Sequence, residues 1–237
     1  LFLYVRNMKN WLVIFLLCQV SCIDRSIQEN FQLQKGDFLF QDLDSSPLCD
    51  AIELVTPGYK GANFSHIGMV VELGDPYCIN PDYNYNDHVR ILEAFPTRVR
   101  TIRVDSFLNR SLDNNGNPKV IVGRLKPKYR HTIQNAISFS KSKIGMNYDD
   151  VFIINNNSYY CSELIYESFE SYNIFELQPM TFLHPETKDT LKIWKEYYSD
   201  LGVKIPHNKL GINPGFMSLS DKIEIVHIYG IPDRMKR

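Results

Sequence analysis

Apolar and polar residues alternate, or β-forming residues run together, over 37–40, 66–73, 89–95, 98–104 and 119–125, and each of these segments predicts a strand. The turn-rich Asp113-Asn114-Asn115-Gly116-Asn117-Pro118 separates the last two, so the strands are expected to build an antiparallel sheet. Elsewhere the spacing becomes helical. Ser46 followed by Pro47 reads as an N-cap with proline at the first helical position, starting a short helix through Leu48, Ile52 and Val55 that stops at Thr56-Pro57-Gly58. A second helix is expected over 131–143. A third starts at Cys161, whose stripe continues through Leu164, Ile165, Phe169 and Tyr172. A fourth covers 185–201, with Leu191, Trp194, Tyr198 and Leu201 on one face and a packing role. The tail 213–228 predicts a turn and a final strand. Helices packed on an antiparallel sheet make an α+β fold.

Three residues carry chemistry into positions where the pattern asks for packing. Cys161 lies where the polar turn Asn155-Asn156-Asn157-Ser158 becomes a helix, so it falls in the first helical turn. Free backbone N–H groups and the positive end of the helix dipole favour a thiolate there and are able to hold an oxyanion. The competing reading is a buried, inert cysteine. His66 lies in the run Ser65-His66-Ile67-Gly68-Met69-Val70, on the strand face of Phe64, Gly68 and Val70, and Gly68 leaves space beside it for another backbone or a ligand. Glu93 shares its parity with Ile91 and Phe95, which puts a carboxylate on an apolar face where an imidazole N–H is a suitable partner, the competing reading being a strand-end charge that reaches solvent. His66 and Glu93, on neighbouring strands, are expected to converge on the N-terminus of the Cys161 helix. Tyr148 and Tyr160 are candidate hydroxyl donors to an oxyanion. The stretch Cys78 to Asp87, with Tyr77, Tyr83 and Tyr85 in or beside it, is a loop able to roof such a site.

Gly36-Asp37-Phe38-Leu39-Phe40, Ser65-His66-Ile67-Gly68-Met69-Val70, Leu92-Glu93-Ala94, Gly145-Met146-Asn147-Tyr148-Asp149 and Tyr160-Cys161-Ser162-Glu163-Leu164 follow one another in this order. Together they resemble the YiiX-type family of circularly permuted, papain-like NlpC hydrolases, over roughly residues 33–175. In ordinary papain-like enzymes the cysteine precedes the histidine; here the histidine strand comes first, as in the permuted family. The resemblance implies a permuted papain-like fold with Cys161 as nucleophile, His66 as general base and Glu93 as the group orienting the histidine. It also implies an amide-cleaving cysteine hydrolase acting on cell-wall peptides or small amino-acid amides through a thioester. A lipid-directed hydrolase or acyltransferase is the alternative, because relatives resembling lecithin:retinol acyltransferase use a similar Cys/His pair. A chain that keeps the fold as a ligand-binding protein is the third reading. A polar, charged cleft would favour peptide and an apolar one lipid.

The N-terminus suggests a compartment. Met8-Lys9-Asn10 precedes the apolar run Trp11 to Leu17, too short to span a membrane but suited to a signal peptide, with Met8 as a candidate start. The segment ends Gln19-Val20-Ser21-Cys22, close to a bacterial lipobox that would lipidate Cys22, although Gln19 departs from the usual leucine. Residues 1–22 are therefore expected to be a signal and 23–237 a single hydrolase domain, exported to the periplasm or cell envelope and membrane-associated if Cys22 is acylated. Residues 1–21 contain Arg6 and Lys9 and no acid, so without them the formal charge moves from −1 to −3, which gives no electrostatic case for nucleic acid. Without Cys18 and Cys22, Cys49, Cys78 and Cys161 remain. Three is odd, so one thiol stays free, while a Cys49–Cys78 disulfide is open. There is no C-x-x-C pair and no H-E-x-x-H motif, so no metal is expected, nor a cofactor. The cluster 124–130 reads as a solvated strand end.

Overall fold

The computed structural model describes residues 31–75 and 77–236. Residues 33–237 form one compact unit. The expected signal segment, Cys22 included, lies outside the described residues. Among these, no helix is long and apolar enough to cross a membrane.

Six strands form an antiparallel sheet in the order β4-β3-β2-β1-β5-β8: β1 Phe38–Gln41, β2 His66–Glu72, β3 Arg90–Phe95, β4 Arg98–Arg103, β5 Val120–Leu125 and β8 Ile223–Ile228. The helices are α1 Pro47–Val55, α2 Val104–Leu108, α3 Ile133–Ser142, α4 Cys161–Phe169, α5 Lys192–Asp200 and α6 Pro214–Met217. A two-residue pairing of β6 (Gln178–Pro179) with β7 (Leu210–Gly211) closes the C-terminal third. The α+β reading and the antiparallel sheet therefore hold, with Ser46 and Pro47 starting α1.

Both faces of the sheet are covered. Ile67, Met69, Leu92 and Ala94 join Leu164, Ile165 and Phe169 of α4 in the main core, where Phe38 meets Phe169 edge-on at 5.5 Å. Burying each such side chain stabilises the fold by about 1.5–3 kcal/mol, which fixes α4 against β2 and β3. On the opposite face, Phe107 of α2 lies beside His66, their rings 5.6 Å apart. Gln41 pairs in register with His66, and its amide donates to the Phe107 carbonyl at 2.7 Å, so β1 holds Phe107 against the histidine.

Five local expectations need correction. The space beside Gly68 is not open, because Ile91 and Phe107 fill it. Phe64 does not share the face of His66. It packs on Phe40 at 5.7 Å, and Phe40 is opposite Ile67, so alternation breaks where the chain enters β2. The helix expected over 185–201 exists only as α5. Before it, His184 Nδ1 accepts from the Glu186 and Thr187 amides, and Lys188 takes a left-handed φ of 62°. That local bonding wins over helix, as side-chain acceptors next to a proline often do. Tyr172 lies beyond the end of α4, in a 3-10 turn at Glu170–Tyr172. Arg124 is not solvated but turns inward onto buried Asp37, with both contacts at 2.7 Å.

Filling the Gly68 position tests how tightly the histidine face is packed. A Cβ there would lie 2.5 Å from Ile91 Cγ2 and 2.9 Å from Phe107 Cε2. Gly68→Ala is expected to cost about 1–3 kcal/mol in urea unfolding. An unchanged midpoint would show that Phe107 has room to retreat.

Candidate active site

The site is built where the N-terminus of α4 meets the start of β2. Asp149 accepts from the amides of Val151 and Ile153 at 2.9 and 2.7 Å, closing a tight loop in which Phe152 has a φ of 60°. Asn155 and Tyr160 then donate their amides to the Glu163 carboxylate at 3.2 and 3.3 Å. The N-cap residue is thus Tyr160, with Glu163 reaching back, whereas the expected cap chemistry at Asn155 to Ser158 goes into its own turn, Asn156 accepting from Ser158. Cys161 becomes the first residue of α4, where the amides of the first turn have no helical acceptor. Its side chain is buried, with Sγ 3.9 Å from the Ser65 carbonyl.

His66, next in the chain after Ser65, completes the approach. Its Nε2 contacts Glu93 Oε2 at 2.8 Å, and the Cys161 side chain lies near enough to the ring to act on its charge. Burial alone would lower the imidazole pKa, but the bonds to Cys161 and Glu93 outweigh it and push the value up to about 9. Burial would likewise raise Glu93, yet the hydrogen bonds from His66 and Arg110 hold it down to about 2. Opposite charges in contact favour both charged forms. Of the three residues singled out in the sequence, His66 and Glu93 bond each other and Cys161 lies beside the ring. Arg100, directly opposite Glu93 in the β3–β4 register, and Arg110, after α2, also bond the carboxylate.

Beside Cys161 opens a cavity of about 130 Å³. Its walls are largely apolar, with Ile52, Val55, Phe152, Phe182, Trp194 and Ile212 among them. Tyr148 and Tyr160 line it too. The Tyr160 oxygen accepts from the Ile212 amide at 3.2 Å. Burial raises the Tyr148 phenol well above its ordinary range, which keeps its proton in place. No residue of the loop from Cys78 to Asp87 lines this cavity, so that loop is not the roof. The far wall comes instead from β6, β7, α5 and α6, and Trp194, read from sequence as packing alone, serves both roles.

Other candidate chemistry resolves differently. Asp42, Asp44 and Asp233 lie close enough to share a cation, and they share the Lys119 ammonium at 3.3, 2.7 and 3.3 Å. Cys49, Cys78 and Cys161 are all free thiols, so Cys49 and Cys78 are not paired. Behind Ser65 sits Glu53, nearly inaccessible, which burial pushes up to about 8 against the opposing bond from Ser65.

A sheet with a cysteine at a helix start and a histidine strand earlier in the chain defines a permuted papain-like cysteine hydrolase. The chain belongs to the permuted papain-like amidase family, YaeF/YiiX, C92, whose model matches residues 32–227. Its fold is similar to that in a crystal structure described as metalloprotein yiiX from Escherichia coli O157:H7. The TM-score is 0.64 at 20% identity, covering 85% of this chain and 100% of that one. A search of curated proteins found no match.

The buried groups set a pH dependence of stability whose sign follows from linkage. Glu93 is depressed, so its contribution is present above the ordinary value of 4.5 and lost as pH falls toward 2. His66 is raised, so its contribution is complete below 6.5 and lost as pH rises through about 9. Glu53 keeps its proton between 4.5 and about 8, where the unfolded chain has released it, so it too lowers stability as pH rises. Urea unfolding from about pH 5 to about pH 9 is expected to show a steady decline. Glu53→Gln should flatten the part below pH 8, and an unchanged slope in that variant would remove Glu53 as a cause.

Proposed function

We propose that the chain cleaves amides with Cys161 as nucleophile, His66 as the base and then the acid, and Glu93 holding the imidazole. The observation that carries this reading is the 2.8 Å imidazole–carboxylate pair beside a thiol that begins α4 and lines an apolar cavity. The Cys161 thiolate attacks the carbonyl carbon, and the carbonyl π electrons move onto oxygen. The Cys161 amide and the Tyr148 hydroxyl hold that oxyanion. When it collapses, the C–N bond breaks, the His66 Nδ1 proton passes to the departing nitrogen, and a thioester remains. Water activated by His66 then releases the acid. Tyr148 is taken as the donor because it lines the cavity and no protein group bonds its hydroxyl among the described residues; Tyr160 accepts from the Ile212 amide, which fixes its oxygen while leaving its proton able to donate.

The cavity lining bears on the substrate. Walls of Phe152, Phe182, Trp194 and Ile212 offer nothing to the charges of a cell-wall peptide but bury an apolar acyl group well. The preferred substrate is thus an amide whose acyl side is apolar. The same lining favours, as the second reading, a lipid-directed hydrolase or acyltransferase that uses the same thioester. The site is tested with acyl p-nitroanilides of increasing chain length against charged peptide anilides. Cleavage should rise with apolar acyl length and level off when the cavity is full. Cys161→Ser should abolish it, and Tyr148→Phe should lower kcat by about 100-fold. Turnover retained by Cys161→Ser would remove the nucleophile, and preference for the charged anilides would remove the acyl assignment.

Export and anchoring belong to the same proposal, supported by the apolar run before Gln19-Val20-Ser21-Cys22. A lipid at Cys22 would bring the cavity close to acylated substrates. Expressed in full with its leader, the protein should fractionate with membranes, and Cys22→Ala should release it. A protein equally soluble in both forms argues against the anchor.

A further inference from the structure

Glu93 is surrounded by four N–H donors. Its Oε2 accepts from His66 Nε2 at 2.8 Å and from Arg110 Nη1 at 2.7 Å, while Oε1 accepts from Arg110 Nη2 at 2.6 Å and Arg100 Nε at 3.0 Å. An ionised carboxylate offers about four lone-pair positions, so this one is fully used. Arg110 is the more enclosed of the two arginines, its side chain 17% exposed against 37% for Arg100. It lies 4.2 Å over the ring of Phe95 and 5.3 Å over that of Phe107. The same two rings flank His66 at 5.3 and 5.6 Å. Imidazole and guanidinium therefore sit in one aromatic box and share one carboxylate oxygen.

Sharing has a chemical consequence. A buried carboxylate bonded only to an imidazolium holds that proton hard, because each charge is the other's main stabilisation. A second cation on the same oxygen withdraws part of that hold. His66 has to surrender a proton to the departing nitrogen, so an imidazolium bound too tightly is a poor acid.

We propose that Arg110 is a positioning residue of the reaction: by sharing Glu93 Oε2 with His66 it weakens the imidazolium's grip on its proton. This rests on the assignment of Cys161 and His66 made above. The charged and titratable groups facing the ring and its carboxylate are Cys161 from α4, Glu93 from β3, Arg100 from β4 and Arg110 from the segment after α2.

The test is an NMR titration of the ¹⁵N-labelled histidine rings, with the His66 signal identified by its loss in His66→Gln. In Arg110→Met, where His66 and Arg100 still hold Glu93, the His66 midpoint should rise by about one pH unit. Arg110→Lys, which restores a cation, should return it toward the parent value. Should Arg110→Met not fold, Arg110→Gln is neutral, keeps an N–H donor, and should give the same upward shift. A merely structural clamp would loosen Glu93 when removed and lower the midpoint, so a lowered or unmoved midpoint in a folded neutral variant overturns the proposal. Iodoacetamide labelling of Cys161 in the unaltered protein separates the two assignments. An inert thiol removes the nucleophile, and the role of Arg110 with it, whereas a reactive thiol with an unmoved His66 midpoint removes only the role of Arg110.

Discussion

A carboxylate with no solvent exposure organises this molecule. Glu93 lies in the third of six strands, and leaving such a charge unpartnered would cost several kcal/mol. Its surroundings answer that constraint from separate parts of the chain. Arg100 comes from the paired edge strand, His66 from the other neighbouring strand, and Arg110 from beyond the helix that carries Phe107. Because all four bonds must form together, the relative placement of β2, β3, β4 and the α2 segment is fixed by one side chain. The structural result is a fixed His66 ring. An imidazole clamped through Nε2 has Nδ1 as its remaining nitrogen, and α4 brings the Cys161 thiol beside the ring.

Delivery of the thiol rests on a different kind of force. The α4 helix is held on the sheet by Leu164, Ile165 and Phe169, non-directional contacts that set distance but not rotation. Rotation and starting point come from polar bonds in the preceding loop. Asp149 closes the turn, and Glu163 gathers the Asn155 and Tyr160 amides so that the helix begins at Cys161 and not a residue earlier or later. Burial pushes the Glu163 carboxyl up to about 8, so this cap works despite desolvation. Apolar packing thus brings the two halves of the site together, and hydrogen bonds with few alternatives set their registration.

How much of this was legible depended on sequence distance. Strand parity puts Glu93 with Ile91 and Phe95 from a window of five residues, and helical spacing puts Cys161 at a helix start from a window of nine. Such local periodicities survive folding because the core enforces them. Arg110 carries no such signal. It follows a one-turn helix that a strand reading of 98–104 passes over, and its partner lies 17 residues away on an adjacent strand. The break at Phe64 was hidden for a related reason, since alternation was extended past the first residue of β2 into a segment that is not strand. The cavity's far wall was the least legible part. It depends on Gln178 pairing with Gly211 and on Trp194 packing against Phe182 at 5.0 Å, contacts with no repeating period to reveal them.

That division between legible and hidden parts has a chemical logic. The thiol, imidazole and carboxylate occupy the sheet and its adjoining helix, where backbone hydrogen bonding leaves little freedom, and bond-breaking chemistry needs that rigidity. The cavity wall is drawn from segments after residue 178 and from the loop carrying Phe152, where two-residue strands and side-chain-closed turns define the surface. Phe152 joins the two regions. Its ring meets Tyr160 at 5.5 Å on the catalytic side and Trp194 at 6.3 Å on the cavity side. An acyl group filling the cavity would press on Phe152 and, through Tyr160, on the residue that caps the Cys161 helix.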